Sequence, residues 1–287
     1  MKKVLTIIIP HYNSPKLLDK LLDSIPEREE LEVIVVDDNS ESGKQITAEC
    51  KEKNNRKAAF FINNTGKKGA GVCRNIGLQH AGGEWLLFAD ADDFFTENLW
   101  EKLEGYLQRE ADIIYFIPSS IYLETGEKAG RDRLTRNLVQ NYLQSPDGET
   151  EARLRYGFES PWSKLIRNSM VKENQICFDE TKVANDVMFS IKCAYAANTI
   201  AASEQNIYCV TKSKGTLTTV GGDEYFRIRL GVWVEKYKFL KKRLPNKEWK
   251  ILKMRGNFWL QRAKRMGYHP GQILGMRIYL LQNGVWL

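Results

Sequence analysis

The stretch Glu84-Trp-Leu-Leu-Phe-Ala-Asp-Ala-Asp-Asp93 carries an apolar run, Trp85 to Ala89, straight into three carboxylates within four residues. A buried strand that ends in Asp90, Asp92 and Asp93 is costly by itself. The acids repel one another, and desolvating them is unfavourable unless a cation or hydrogen-bond donors compensate. Hard carboxylate oxygens of this kind suit Mg²⁺ or Mn²⁺. The plainer alternative is a solvated turn in front of a helix that starts near Thr96-Glu-Asn98.

The preceding residues place that strand in a sheet. Val4-Leu-Thr-Ile-Ile-Ile9 is a short β-branched run closed by Pro10, the pattern of a buried strand. A helix is expected next, with Ser14 as N-cap, Pro15 at its first position, and Leu17, Leu18, Leu21 and Leu22 on one face. Leu31-Glu-Val-Ile-Val-Val36 reads as a second strand and also ends in acids, in Asp37-Asp-Asn-Ser40. Ala58-Ala-Phe-Phe-Ile62 reads as a third. Strands alternating with helices predict an α/β fold with a mostly parallel, Rossmann-like sheet and helices on both faces. Acids at the carboxyl ends of such strands lie where open α/β sheets bind ligands. Gly66, Gly69 and Gly71 do not form a dinucleotide fingerprint, which belongs directly after the first strand.

Four segments in order carry a resemblance: Ile7-Ile-Ile-Pro-His-Tyr-Asn13, Val35-Val-Asp-Asp-Asn-Ser40, Gly71-Val-Cys-Arg-Asn-Ile-Gly77 and Asp90-Ala-Asp-Asp93. Their order and spacing resemble the family 2 glycosyltransferases over roughly residues 4–215. That resemblance implies a GT-A fold and inverting, nucleotide-sugar-dependent transfer, in the manner of bacterial glycan assembly. It implies that Pro10 and Tyr12 edge the nucleobase pocket, with Tyr12 stacking on a uracil-type ring. Asp38, with or without Asp37, corresponds to the acid that bonds base or ribose. Arg74 corresponds to an arginine near diphosphate or base, Asp90 to a ribose or sugar contact, and Asp92 to the metal ligand of a DxD motif.

General chemistry fits these roles. The leaving nucleoside diphosphate needs cationic stabilisation, and a guanidinium fork suits phosphate oxygens. Lys67 and Lys68 read either as phosphate contacts or as a solvated pair. Transfer with inversion also needs a base for the acceptor hydroxyl. The family pattern marks Asp186, just before a helix carrying Val187, Met188, Phe189 and Ile191. The other reading of Asp186 is an acid favoured by the helix dipole. Asn185 stands where the family usually has Glu, so the partner acid is missing. Pro161-Trp-Ser-Lys-Leu-Ile-Arg167 resembles the acceptor-side segment, in which Trp162 either stacks on a sugar or packs in the core. Ile207 to Thr218 resembles the closing strand, whose basic, hydroxyl-rich turn offers Lys212, Lys214 or Thr216 as a phosphate contact, none of them singled out by the sequence. The Gln-x-x-Arg-Trp signature of processive synthases is absent from the sequence, which predicts one sugar per encounter.

Composition bounds the remainder. The 287 residues hold five cysteines with no paired metal spacing and three scattered histidines. An odd cysteine count and no signal-peptide cleavage site predict a cytoplasmic protein. No 18-residue apolar run predicts a spanning helix. Residues 1–221 are expected to form the catalytic domain and 222–287 a helical extension. Residues 224–287 contain fifteen Lys or Arg against three acids, and four of the seven tryptophans. Basic amphipathic helices with aromatic anchors suit an anionic membrane surface, here the inner face of the cytoplasmic membrane. The alternative is a helical subdomain whose aromatics form a core, or a homodimer contact. No nucleic-acid motif accompanies the charge. The expected partners are thus a nucleotide-sugar donor, probed first as UDP, and a glycan or lipid-linked glycan acceptor. Two rival readings are a sugar nucleotidyltransferase, which would need a basic Gly-rich loop after strand one, and an inactive scaffold, which Asn185 favours.

Overall fold

A computed structural model describes residues 3–41, 46, 52, 58–212 and 222–287. The chain divides into two compact units, Met1–Val220 and Gly221–Leu287.

In the first unit the strands are β1 (Leu5–His11), β2 (Leu31–Asp37), β3 (Ala59–Ile62), β4 (Trp85–Phe88), β5 (Phe94–Phe95), β6 (Ile113–Phe116), β7 (Ser119–Tyr122), β8 (Lys164–Arg167), β9 (Ile200–Ser203) and β10 (Tyr208–Lys212). Seven of them form one sheet in the order β3-β2-β1-β4-β8-β6-β9. The β3-β2-β1-β4 half is parallel, β8 runs antiparallel to both β4 and β6, and β6 pairs parallel with β9. Helices flank this sheet, which makes the expected α/β architecture. Leu5, Ile7, Ile8 and Ile9 are all fully buried, as a continuous apolar run must be when a parallel sheet is covered on both faces. A second sheet, β5-β10-β7, was not legible in the sequence, because strands of two to five residues offer too little periodicity.

Strand register positions the site. β1 pairs with β2 through His11 and Asp37, but its ladder with β4 ends at Ile8 and Phe88. The chain passes from β1 to β2 and β3 on one side and then returns to place β4 on the other. The sheet therefore splits at a topological switch point between the carboxyl ends of β1 and β4, the usual ligand crevice of such folds. Pro10 is tolerated in this central strand for the same reason. Val4 and Ile8 carbonyls accept from Trp85 and Ala89, so even-numbered positions of β1 face β4. Pro10 comes after that ladder has ended and forfeits no bond to β4.

The second unit consists of helices Asp223–Arg243, Asn246–Leu252, Asn257–Arg265 and Pro270–Gln282. Phe226, Leu230, Val234, Tyr237, Trp259, Ala263, Met276 and Leu280 form its core, with Trp233 and Trp249 packed against it. Three of the four tryptophans thus do core work, which is the plainer of the two sequence readings. Trp286 is 58 % exposed, and Leu274, Ile278 and Leu281 are exposed with it. Among the described residues no helix is long and apolar enough to cross a membrane.

Candidate active site

The loops at the carboxyl ends of β1 and β2 are tied together by buried polar groups. His11 Nδ1 lies 2.6 Å from Asp37 Oδ1. His11 Nε2 accepts from the Ser14 N–H at 3.2 Å, which leaves Nδ1 as the donor to Asp37. Asp37 also accepts from Ser40 Oγ and the Ser40 N–H, and Ser40 Oγ in turn accepts from the Asn13 N–H. Asp37 is therefore a clasp between two strand ends. Asp38 is turned towards the glycine loop, where Oδ1 accepts from Asn63 Nδ2 at 2.7 Å and Oδ2 from the Gly69 N–H at 2.8 Å. Tyr12, directly past β1, is 45 % exposed, with Lys68 Nζ 5.1 Å from its ring centre. The ring thus stands exposed just past the strand end with a lysine ammonium over one face. Lys67 pairs with Glu180. Lys214 and Thr216 lie outside the described residues.

Arg74 occupies the centre. It projects from the helix Ala70–His80 and is buried. Its Nη2 donates to Asp90 Oδ1 at 2.5 Å and its Nη1 to Asn185 Oδ1 at 2.8 Å, while Phe178 lies 5.2 Å beneath the guanidinium. Among the described residues the Arg74 Nε has no hydrogen-bond partner. Gly71 makes this approach possible: a Cβ there would stand 2.1 Å from the Asp179 carbonyl oxygen and 3.0 Å from Asn185 Cβ. The helix can lie this close to the segment bearing Asn185 only with no side chain at that position.

The acid turn after β4 is gripped by β10. The Asp90 N–H donates to Tyr208 Oη at 2.9 Å, and that hydroxyl donates to Asp93 Oδ2 at 2.7 Å. The Thr211 N–H donates to Asp93 Oδ1, and Thr211 Oγ1 to the Asp92 carbonyl, both at 2.6 Å. Asp93 is buried and held well above the usual carboxylate range by burial and by the charges of Asp92 and Asp90. Asp92 is half-buried and shifted upward by burial and then by Asp90. Among the described residues no three His, Cys, Asp or Glu converge as a ready-made metal cage. A site of one or two carboxylates completed by substrate phosphates is nevertheless the usual mode for Mg²⁺. Asp92, which forms no ion pair among the described residues, together with Asp90, whose charge Arg74 already balances, is the donor set that fits it.

Asp186 directly precedes the helix Val187–Ala196, yet its side chain does not cap that helix. Burial raises its pKa to about 6, opposed by Arg74 and assisted by Asp90 and Glu159. A carboxyl raised towards neutrality and under the influence of Arg74 and Asp90 has the properties of a general base. Trp162 is only 9 % exposed; it stacks on Tyr208 at 5.7 Å and 18° and meets Phe158 edge-on. Its observed contacts are thus with the residue that supports the acid turn. The sequence points to no role for His11, Asn63, Tyr208 or Thr211, although His11 stands in a quoted motif and Tyr208 and Thr211 stand in the segment Ile207 to Thr218.

Residues 6–174 match the sequence model of glycosyl transferase family 2. Poly(ribitol-phosphate) beta-N-acetylglucosaminyltransferase TarS of Staphylococcus aureus is 29 % identical over 227 residues, covering 73 % of this chain and 36 % of TarS. The putative glycosyltransferase EpsH of Bacillus subtilis is 24 % identical over 214 residues, covering 71 % of this chain and 59 % of EpsH. The chain thus spans between about a third and three-fifths of the length of these relatives. The crystal structure of S. aureus TarS 1–349 in complex with UDP-GlcNAc superposes with a TM-score of 0.66 at 24 % identity, covering 87 % of this chain and 70 % of that one. The mannosyltransferase PcManGT from Pyrobaculum calidifontis, in complex with GDP-Man and Mn²⁺, gives 0.60 at 17 % identity, covering 98 % and 81 %. At these identities the likeness is one of fold, and it is the GT-A fold. With the family model matching more than half of its length, the chain belongs to glycosyl transferase family 2.

Proposed function

We propose that this protein transfers one sugar, with inversion, from a UDP-linked donor to a glycan or lipid-linked glycan, in a reaction that depends on Mn²⁺ or Mg²⁺. The observation that carries the reading is the convergence of Arg74, Asp90 and Asn185, with Asp186 under the influence of Arg74 and Asp90, at the β1–β4 switch point. Pro10 and Tyr12 border the base, Tyr12 stacking on it, and Asp38 shapes the base and ribose side through the Asn63–Gly69 loop. Asp90 faces the ribose or sugar, and its charge is balanced by Arg74. A divalent ion held by Asp92 and the diphosphate would neutralise charge on the leaving group. Asp186 takes the acceptor proton as the acceptor oxygen bonds to the anomeric carbon and the bond from that carbon to the diphosphate oxygen breaks. Arg74 stabilises the charge that develops on the departing diphosphate.

The activities for which relatives are named support this reading. TarS is named for N-acetylglucosamine transfer to poly(ribitol-phosphate), and a Bacillus spizizenii relative, 27 % identical over 228 residues, for glucose transfer to the same polymer. The inactive-scaffold alternative loses its motive, since Asn185 accepts a hydrogen bond from Arg74 and so has a place in the site. Trp162 is assigned to the acceptor side by the resemblance of residues 161–167 to the acceptor-side segment of the family, while its own ring packs on Tyr208. Residues 1–221 act as the catalytic domain. The basic 222–287 extension contacts an anionic membrane face or a second copy, through the exposed Trp286, Leu274 and Ile278.

UDP release from UDP-GlcNAc or UDP-glucose tests the reaction. Mn²⁺ should raise the wild-type rate at least tenfold over chelated controls, and Asp92→Asn should abolish that response, since several kcal/mol of leaving-group stabilisation is at stake. An Asp92→Asn enzyme with unchanged metal dependence would remove Asp92 as the ligand.

A further inference from the structure

We propose that Tyr208 is a positioning residue that sets the presentation of Asp90 and Asp92 to the donor diphosphate and its cation; this rests on the donor-site reading above. All three acids of the turn are held by one distant strand. Tyr208 Oη bridges the Asp90 N–H and the Asp93 carboxylate, and Thr211 bonds the Asp92 carbonyl and the other Asp93 oxygen. Within the turn the Asp93 N–H donates to the Asp90 carbonyl at 3.0 Å. Asp93, buried with both oxygens engaged by β10, is thereby the anchor of the turn. Asp90 and Asp92, only partly buried, remain for ligands.

The Tyr208 ring cannot swing away from this position. It is fully buried, stacked on Trp162, and meets Phe95 edge-on at 5.4 Å, while β10 pairs with β5 at the same residue. A single hydroxyl on a fixed ring thus sets the distance between two points of the acid turn, one of them adjacent to the Asp90 side chain that Arg74 grips. Outer groups of this kind typically govern metal affinity by about 10- to 100-fold without touching the ion.

Tyr208→Phe removes the hydroxyl and keeps the ring. Calorimetric titration of UDP with saturating and with no Mn²⁺ should show a loss of about tenfold or more in the Mn²⁺-dependent affinity. The Mn²⁺ concentration giving half-maximal UDP binding should rise by a similar factor, while Mn²⁺-free UDP binding stays within twofold. A merely structural hydroxyl would lower thermal stability and leave both affinities alone. Thr211→Val, which removes the Oγ1 bond to the Asp92 carbonyl and leaves the backbone N–H bond to Asp93, should reproduce the loss, and Thr211→Ser should restore wild-type behaviour. Should Tyr208→Phe not fold, the Thr211 pair carries the test. Folded Tyr208→Phe or Thr211→Val with wild-type Mn²⁺-dependent affinity overturns the positioning role while leaving the donor site intact. Wild-type protein that binds no UDP under either condition overturns the donor-site reading, and the positioning role with it.

Discussion

Asp186→Asn should lower kcat for sugar transfer by about 10²- to 10⁴-fold, the range that a positioned general base supplies, while UDP affinity stays within twofold. The substitution is nearly isosteric, and the side chain caps no helix, so the fold has little to lose. The pH profile provides an independent check. Burial raises the Asp186 carboxyl to about 6, and only its ionised form accepts a proton. Turnover should therefore rise with pH through about 6 and level off above it, falling about tenfold per unit on the acid side. In Asp186→Asn that acid limb should vanish from whatever rate remains. A variant with wild-type turnover would transfer the role of base elsewhere.

Arg74→Gln should be comparably damaging, for a different reason. Its guanidinium bonds Asp90 and Asn185 and partly offsets the burial of Asp186. Without it the developing charge on the diphosphate loses a fixed donor, and one such donor is worth about 10²- to 10³-fold in kcat. The cation also depresses the Asp186 pKa, so its removal should raise that pKa and move the acid limb to higher pH. Stability should fall by about 1–3 kcal/mol as buried acceptors go unpaired, the lower end being favoured because the Asp90 side chain is a third exposed and screened by water. Arg74→Lys keeps the charge but loses the fork; it should retain the wild-type pH limb while recovering only part of the rate. An unshifted limb in Arg74→Gln would show that Arg74 and Asp186 do not communicate.

Legibility followed sequence distance. The ends of β1, β2 and β4 were readable because apolar runs such as Val4–Ile9 stop abruptly at polar residues. The acids at those ends sit where an α/β sheet binds ligands. The antiparallel insertion of β8 and the three-stranded second sheet were not readable. Lys164-Leu-Ile-Arg167 is too short to announce its direction, and Ile207-Tyr-Cys-Val-Thr211 reads as any buried strand. Tyr208 meets Asp93 across 115 positions of sequence, and no local pattern encodes such a contact. Asn185 was instructive in the other direction. As sequence it looked like a lost acid; in the fold its amide oxygen accepts from the central arginine. The tryptophans of the second unit show the limit of periodicity. A basic amphipathic stripe looks alike whether its aromatics face lipid or, as for Trp259, a small core.

The most direct test of the central claim is calorimetric binding of UDP, with GDP as control, in the presence and absence of Mn²⁺. The β1–β4 crevice should bind UDP at micromolar affinity, about −8 kcal/mol, with Mn²⁺ required for full affinity and GDP markedly weaker. Absence of binding by either nucleotide, with or without Mn²⁺, would contradict the assignment of this crevice as the donor site.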